Sequence, residues 1–332
     1  MSLHHSPWCT LIMMIGDRVL ELGRSYWSVR PISWEEQPTI TYNNRKLIIA
    51  FFCDQQAEAI RSLIERGWSF AELLFPEFNL KIGKCSFGFT NEPAKMKSHN
   101  LYDFTRSKKK ALQENEKSNL LYANFCSLPD TYKTDPYLSA SFSWLMDIAC
   151  GHASNPGVDY IQVGIDTSVL GVSEVLKDER SLERFCSRIL GVLSDAQYGI
   201  ASIIPSKYAP GGYSIGLPGG APDEYIWDVN AWGGRYGVRF DKLRSVHGFN
   251  FLGQSLLDQS IGSTPLKQWI FSGDKNRGVL SKGFSDLFLW KTTQGENLLD
   301  ALDWGYPPTA LIRKELQEQN AFAWQDWLKR KR

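Results

Sequence analysis

The chain has almost no excess charge of either sign. Lys+Arg is 37 and Asp+Glu is 36, a formal net charge of +1. A protein whose main work is coating nucleic acid carries a basic excess or stripe, so that class is disfavoured. Histidine is scarce, at five residues, two of which (His4 and His5) sit in the first few positions. General-base chemistry therefore has few candidates. The six cysteines (Cys9, Cys53, Cys85, Cys126, Cys150, Cys186) form no Cys-x-x-Cys and lie spread through apolar stretches. That excludes a dense disulfide scaffold and reads as buried free thiols in a reducing compartment. No run approaches the roughly 20 apolar residues of a membrane-spanning helix. The apolar stretch Trp8–Gly16 is short, has no Lys or Arg before it and lacks a small-residue cleavage site, so it does not read as a secretory signal. The expected location is cytoplasmic. Residues 1–14 read as a disordered or non-native leader, with Met13 or Met14 as an alternative start.

Phosphate and metal motifs are absent as well. There is no Gly-x-x-x-x-Gly-Lys-Ser/Thr, and no Gly-x-Gly-x-x-Gly stands between a strand and a helix. Cys150-Gly151-His152 is the nearest approach to a metal site, and no second pair completes a tetrahedron. No cofactor and no metal is expected.

What the sequence does have is aromatic bulk: 12 Trp, 13 Tyr and 18 Phe, with 43% hydrophobic residues. Such a chain can bury a sizeable core and has side chains suited to interfaces. Lys46–Cys53 reads as a buried strand, followed by an Asp54-capped helix with Ala57, Ile60 and Ile64 on one face. Ser69-Phe70-Ala71-Glu72 opens a short helix, and a strand runs from Leu80 towards Phe89. Residues 91–119 form a polar, Lys-rich insertion. A helix is expected from Pro136 through Trp144, Leu145 and Ile148 to Gly151, then a strand at 160–165. Leu182, Phe185, Cys186, Ile189, Leu190 and Leu193 give the clearest amphipathic helix, with Ser181 as its expected cap. Strands at 198–204 and 236–240, a short helix near Gln254, a hairpin through 278–290 and a long helix from Pro308 to Arg332 complete the reading. The absence of a βαβ rhythm predicts an α+β fold of mixed, largely antiparallel sheets packed by helices. The pattern permits two related lobes, 15–128 and 129–332, divided near 127–135.

Two patterns carry chemistry. Gly212-Tyr213-Ser214-Ile215-Gly216 matches the nucleophile elbow, and the order Ser214, Asp223 or Asp228, His247 is that of an α/β-hydrolase. An elbow must open a helix, which Leu217-Pro218-Gly219-Gly220-Ala221-Pro222 opposes, so a surface loop is expected there. Further on, Trp227, Asp228, Trp232, Arg235 and Tyr236 set aromatics beside charges in a turn-rich segment, the residue types that dominate binding hot spots.

The stretch 234–290 contains Gly234-Arg235-Tyr236, then Lys242-Leu243-Arg244, Val246, Asn250-Phe251-Leu252, Leu266, Trp269-Ile270, Gly278, Leu280 and Leu289-Trp290. This order resembles bacterial immunity proteins of toxin effector systems, and is similar to the type VI secretion immunity family that accompanies nuclease effectors, the TsiV-like group. The resemblance covers about the last 170 residues and hardly touches the first 125. It implies a non-catalytic protein that binds a cognate toxin or effector and neutralises it by stoichiometric occlusion, with no nucleic-acid or membrane partner. Trp227, Asp228, Trp232, Arg235 and Tyr236 are the expected contacts, joined by Asp223 and Glu224 if the toxin has a basic cleft. The alternatives are a serine hydrolase using Ser214 and His247, and a structural component of a defence or secretion assembly.

Overall fold

The structure, a computed structural model, describes residues 45–54, 69–73, 76–77, 84–89, 97–100, 120–126, 144–149, 158–167, 174–193, 195–205, 240–292 and 297–331. Its strands are β1 (Arg45–Asp54), β2 (Lys84–Phe89), β3 (Lys97–Asn100), β4 (Leu120–Cys126), β5 (Trp144–Ala149), β6 (Val158–Asp166), β7 (Ala196–Pro205), β8 (Phe249–Leu252), β9 (Ser260–Ile261), β10 (Thr264–Pro265), β11 (Val279–Lys282) and β12 (Phe288–Lys291). Ten of them form one sheet in the order β11-β12-β8-β7-β1-β6-β5-β4-β2-β3, while β9 and β10 make a separate small hairpin. Every neighbouring pair of the large sheet is antiparallel. Among the described residues, 69–73 and 76–77 are also helical, and the helices from Glu179 onward are α1 (Glu179–Val192), α2 (Gln254–Leu257), α3 (Leu266–Ser272), α4 (Leu298–Leu302), α5 (Pro307–Glu318) and α6 (Ala323–Lys331). The expected α+β class with a largely antiparallel sheet is what is observed. The expected lobe boundary near 127–135 lies outside the described residues, and β4 and β5 on either side of it pair within the same sheet.

β1 explains the layering. It is flanked by β6 and β7, and its residues from Leu47 to Cys53 are all buried. A strand covered on both faces must be apolar throughout rather than alternating, and Leu-Ile-Ile-Ala-Phe-Phe-Cys meets that demand. Leu47, Ile49, Phe51 and Cys53 face one core, which α1 closes with Leu182, Phe185, Cys186, Ile189 and Leu190. Ile48, Ala50 and Phe52 face a second core, closed by α2, α3, α5 and Phe322. Phe51 meets Phe251 edge-on at 5.0 Å, and Phe52 stacks on Tyr198 at 5.9 Å. Gly199 lies opposite Phe51 in the register, and a Cβ there would stand 2.2 Å from Phe51 Cδ1. The glycine makes room for the ring.

Three sequence expectations need correction. The helix foreseen over 136–151 is a strand where it is described, from Trp144 to Ala149. Pairing with both β4 and β6 holds the segment extended and overrides the helical reading. The cap of α1 is Asp178 rather than Ser181. Asp178 accepts a hydrogen bond from the Ser181 amide at 2.8 Å, so the helix begins three residues earlier than the apolar stripe suggests. That hydrogen bond also holds the Asp178 carboxyl below the usual carboxylate range.

The long C-terminal helix is two helices. α5 ends at Glu318, Asn320 adopts a left-handed conformation with φ of 54°, and α6 starts at Ala323. The Ala321 amide bonds the Leu316 carbonyl at 3.1 Å and the Asn320 amide bonds that of Gln317, the paired closure of a Schellman motif. The break turns Ala321 and Phe322 into the second core, where Leu243 bridges Phe322 and accepts from the Ala323 amide.

The helix foreseen after Asp54, residues 55–68, lies outside the described residues. So does most of the Lys-rich insertion, although its residues 97–100 are β3, paired to β2. Of the strand expected at 236–240 only Phe240 is described, and it lies in a bend. The helix near Gln254 and the hairpin through 278–290 stand where expected.

Candidate functional site

The residues expected to bind a partner (Asp223, Glu224, Trp227, Asp228, Trp232, Arg235 and Tyr236) all lie outside the described residues, as do Ser214 and the Cys150–His152 pair. The chain enters that segment from Pro205, the end of β7, which pairs with Arg45. It re-emerges at Phe240 and runs into Leu243.

His247, the other half of the hydrolase reading, is wholly buried. Its backbone amide donates to Asn250 Oδ1 at 3.0 Å, and Asn250 Nδ2 returns a bond to the His247 carbonyl at 2.7 Å. Burial, followed by the charges of Arg244 and Arg313, pushes the imidazole well below its ordinary value, against the opposing effect of a hydrogen bond to Asn250. Such a group is a neutral member of the packed core.

The residues that carry the immunity-protein resemblance are scaffold. Leu243, Arg244, Val246, Asn250, Phe251, Leu252, Leu266, Ile270, Leu289 and Trp290 are buried. Lys242 pairs with Asp326 at 2.6 Å, tying the strand-like 242–243 segment to α6. Gly278 has φ of +84°, and a Cβ there would meet the Lys291 carbonyl oxygen at 2.1 Å. Only glycine fits that turn into β11.

Two arginines stacked on tryptophans organise the outer C-terminal layer. Arg277 lies over the Trp269 ring at 3.9 Å and donates to the Trp269 carbonyl at 2.7 Å and to Ser272 Oγ at 3.0 Å. It also grips Glu315 of α5 through Nε and Nη2, and its own carbonyl accepts from Trp290 Nε1 at 2.8 Å. Arg313 lies over Trp304 at 3.7 Å and donates to the carbonyls of Val246 and Trp304, each at 2.9 Å through Nη2. Each guanidinium stacks and fills a planar fork of acceptors at once, which a lysine cannot do.

Arg277, in the 3-10 turn Asp274–Arg277 that follows α3, thus ties the end of that helix to Glu315 of α5, and α3 and α5 each present an exposed apolar side chain. Phe271 of α3 is 58% exposed and Leu311 of α5 is 68% exposed, against a core whose members are nearly all inaccessible. Exposed aromatic and large apolar side chains are the kind that anchor a protein partner. Thr309, Ile312 and Leu316 define the buried stripe of α5, and Leu311 falls off it.

In the middle of the sheet, Lys46 and Asp166 face each other across β1 and β6, at 4% and 5% exposure. Burial lowers the Lys46 amine to about 8, with Asp166 opposing the shift. Among the described residues no cluster of His, Cys, Asp and Glu suits a metal ion, and no helix is long and apolar enough to cross a membrane. Cys186 is buried and its thiol is pushed up by desolvation, which makes it inert.

No protein-family model matches the chain, and no curated protein matches it. Among solved structures, a Pseudomonas aeruginosa T6SS protein superposes with a TM-score of 0.49 at 11% identity, covering 82% of this chain and 72% of that one. At that similarity the likeness supports no inference about what this chain does.

Proposed function

We propose that the protein is an immunity-type binder, which holds a cognate toxic effector inactive by stoichiometric occlusion without catalysis. The observation that carries this reading is the exposure of Phe271 on α3 and Leu311 on α5, two helices whose other sides pack into the core. Preorganised apolar anchors bind with little ordering cost, which suits a protein that must capture its partner before the partner reaches a target. The residues on which the resemblance to immunity proteins rests build the packed layer beneath these side chains. The expected contacts at Trp227, Asp228, Trp232, Arg235 and Tyr236 would add to this surface or form a separate one, with Asp223 and Glu224 answering a basic cleft.

The hydrolase alternative asks His247 to exchange a proton with Ser214 near neutral pH. A wholly buried imidazole held neutral by its surroundings is poorly suited to that task.

The test is co-expression with the toxic protein encoded beside it. Neutralisation, with a stoichiometric complex that Phe271→Ala plus Leu311→Ala or Trp227→Ala plus Trp232→Ala loosens, is the expected result. Protection that disappears only on Ser214→Ala, with no complex recovered, would overturn it.

A further inference from the structure

α1 carries a row of arginines that its packing does not need. Leu182, Phe185, Cys186, Ile189 and Leu190 turn one side of the helix into the core. Arg180, Arg184 and Arg188 follow one another at i, i+4 and i+8 on the opposite side, all exposed. At 1.5 Å per residue this ridge is about 12 Å long. Ser187 and Gly191 occupy the neighbouring positions on that side, and a Cβ on Gly191 would meet nothing within 4 Å, so the guanidiniums stand above a low helix surface.

An ordinary solvated helix interleaves such cations with acids four residues away. Here the acids of the helix are committed elsewhere. Asp178 caps the first turn, and Glu179 and Glu183 both turn to Lys291 of β12, at 2.7 and 3.1 Å. The helix thus directs its negative charge inward and leaves its positive charge outside. Arg184 donates to Ser181 Oγ at 2.9 Å, and Arg188 is paired with Glu77.

We propose that the Arg180–Arg184–Arg188 ridge is a docking surface for an acidic segment of a partner protein. Resting on the immunity reading, this assigns the acidic segment to the captured effector. Charge complementarity selects the occupant: guanidinium forks engage carboxylates in bidentate pairs, and a row with a helical spacing fits a short run of Asp and Glu. A nucleic acid is the weaker candidate, because three arginines neutralise few phosphates and the chain has no overall basic excess to attract a polyanion.

The experiment uses the full chain and a fluorescein-labelled decaglutamate peptide, followed by anisotropy at low ionic strength. Saturable binding that Arg180→Glu plus Arg184→Glu weakens at least about tenfold is the expected result. Lys314→Glu plus Lys329→Glu, an equal charge change at exposed positions of α5 and α6, should leave binding unaltered, and all variants should keep the wild-type melting temperature. Absence of binding, or equal loss with Lys314→Glu plus Lys329→Glu, would overturn the proposal. So would tighter ridge-dependent binding of a DNA oligonucleotide of the same charge. Because the peptide replaces the effector, a silent ridge in a protein that still neutralises its toxin would refute this docking mode alone. Conversely, peptide binding at the ridge in a protein that neutralises nothing would leave the ridge standing and remove the immunity reading.

Discussion

Acidification should unfold this protein partly through one side chain. An unfolded histidine takes up a proton near pH 6.5, whereas His247 in the fold stays neutral well below that value. Above pH 6.5 neither state binds the proton and the stability is whole. Below it the unfolded chain binds more protons, so stability falls as pH falls, until the folded-state value is reached. The slope approaches about 1.4 kcal/mol per pH unit, so the loss by pH 5.5 is at most about 1.4 kcal/mol. Urea unfolding followed by tryptophan fluorescence, at pH 7.5, 6.5 and 5.5, measures this in the wild type and in His247→Gln. Glutamine does not titrate, so the stability of the wild type relative to the variant should fall by up to about 1.4 kcal/mol between pH 7.5 and 5.5. Parallel pH profiles would refute the reasoning. An imidazole resonance of His247 titrating near 6.5 in the folded protein would refute it independently, and would reopen the serine-hydrolase reading.

Lys46 predicts the opposite edge of the pH range. Its amine is lowered to about 8 in the fold, so between there and 10.5 the unfolded chain holds the extra proton and stability should rise with pH, by up to about 3 kcal/mol; comparison with Lys46→Met at pH 7.5 and 10 isolates it. Gly278→Ala should cost about 3 kcal/mol in a urea melt, through both its backbone angle and the Lys291 carbonyl, while Gly262→Ala, which meets only the Gln319 side chain, should cost less. Asn320→Gly should leave thermal stability unchanged or slightly raised, and Asn320→Val should lower it by about 1–2 kcal/mol, because a β-branched residue resists the left-handed turn. Lys291→Ala should loosen α1 from β12, seen as faster amide exchange along the helix, since it removes the cation that Glu179 and Glu183 share.

The parts of the fold that were legible in the sequence are those where one physical demand dominates. β1 reads as a buried strand because both faces are covered, and α1 reads as a helix because only one of its sides is. β5 was misread because Pro136 announced a helix start and nothing local announces that two neighbouring strands will hold 144–149 extended. The α5–α6 break had a signal in Asn320, outweighed by apolar residues on both sides of it. The site was less legible. Phe271 and Leu311 look like core residues in any composition count, and only the packing shows which side they take. Arg277 and Arg313 carry no motif, since their partners are carbonyls and rings brought together by the fold. The aromatic segment 227–236 stood out in sequence and lies outside the described residues.

The position of β1 at the heart of the sheet has a consequence for synthesis. Lys46 meets Asp166 on one side and Ile204 on the other, so neither edge of the strand can be satisfied when it first leaves the ribosome. Until β6 and β7 arrive, Leu47–Cys53 is an apolar segment of high strand propensity without a neighbour, the profile of a chain that pairs with its own copies. A ribosome pause or a truncation before Pro205 would release that segment unprotected. Yield and solubility of this protein should therefore depend on how fast the middle of the message is read, long before any partner is in question.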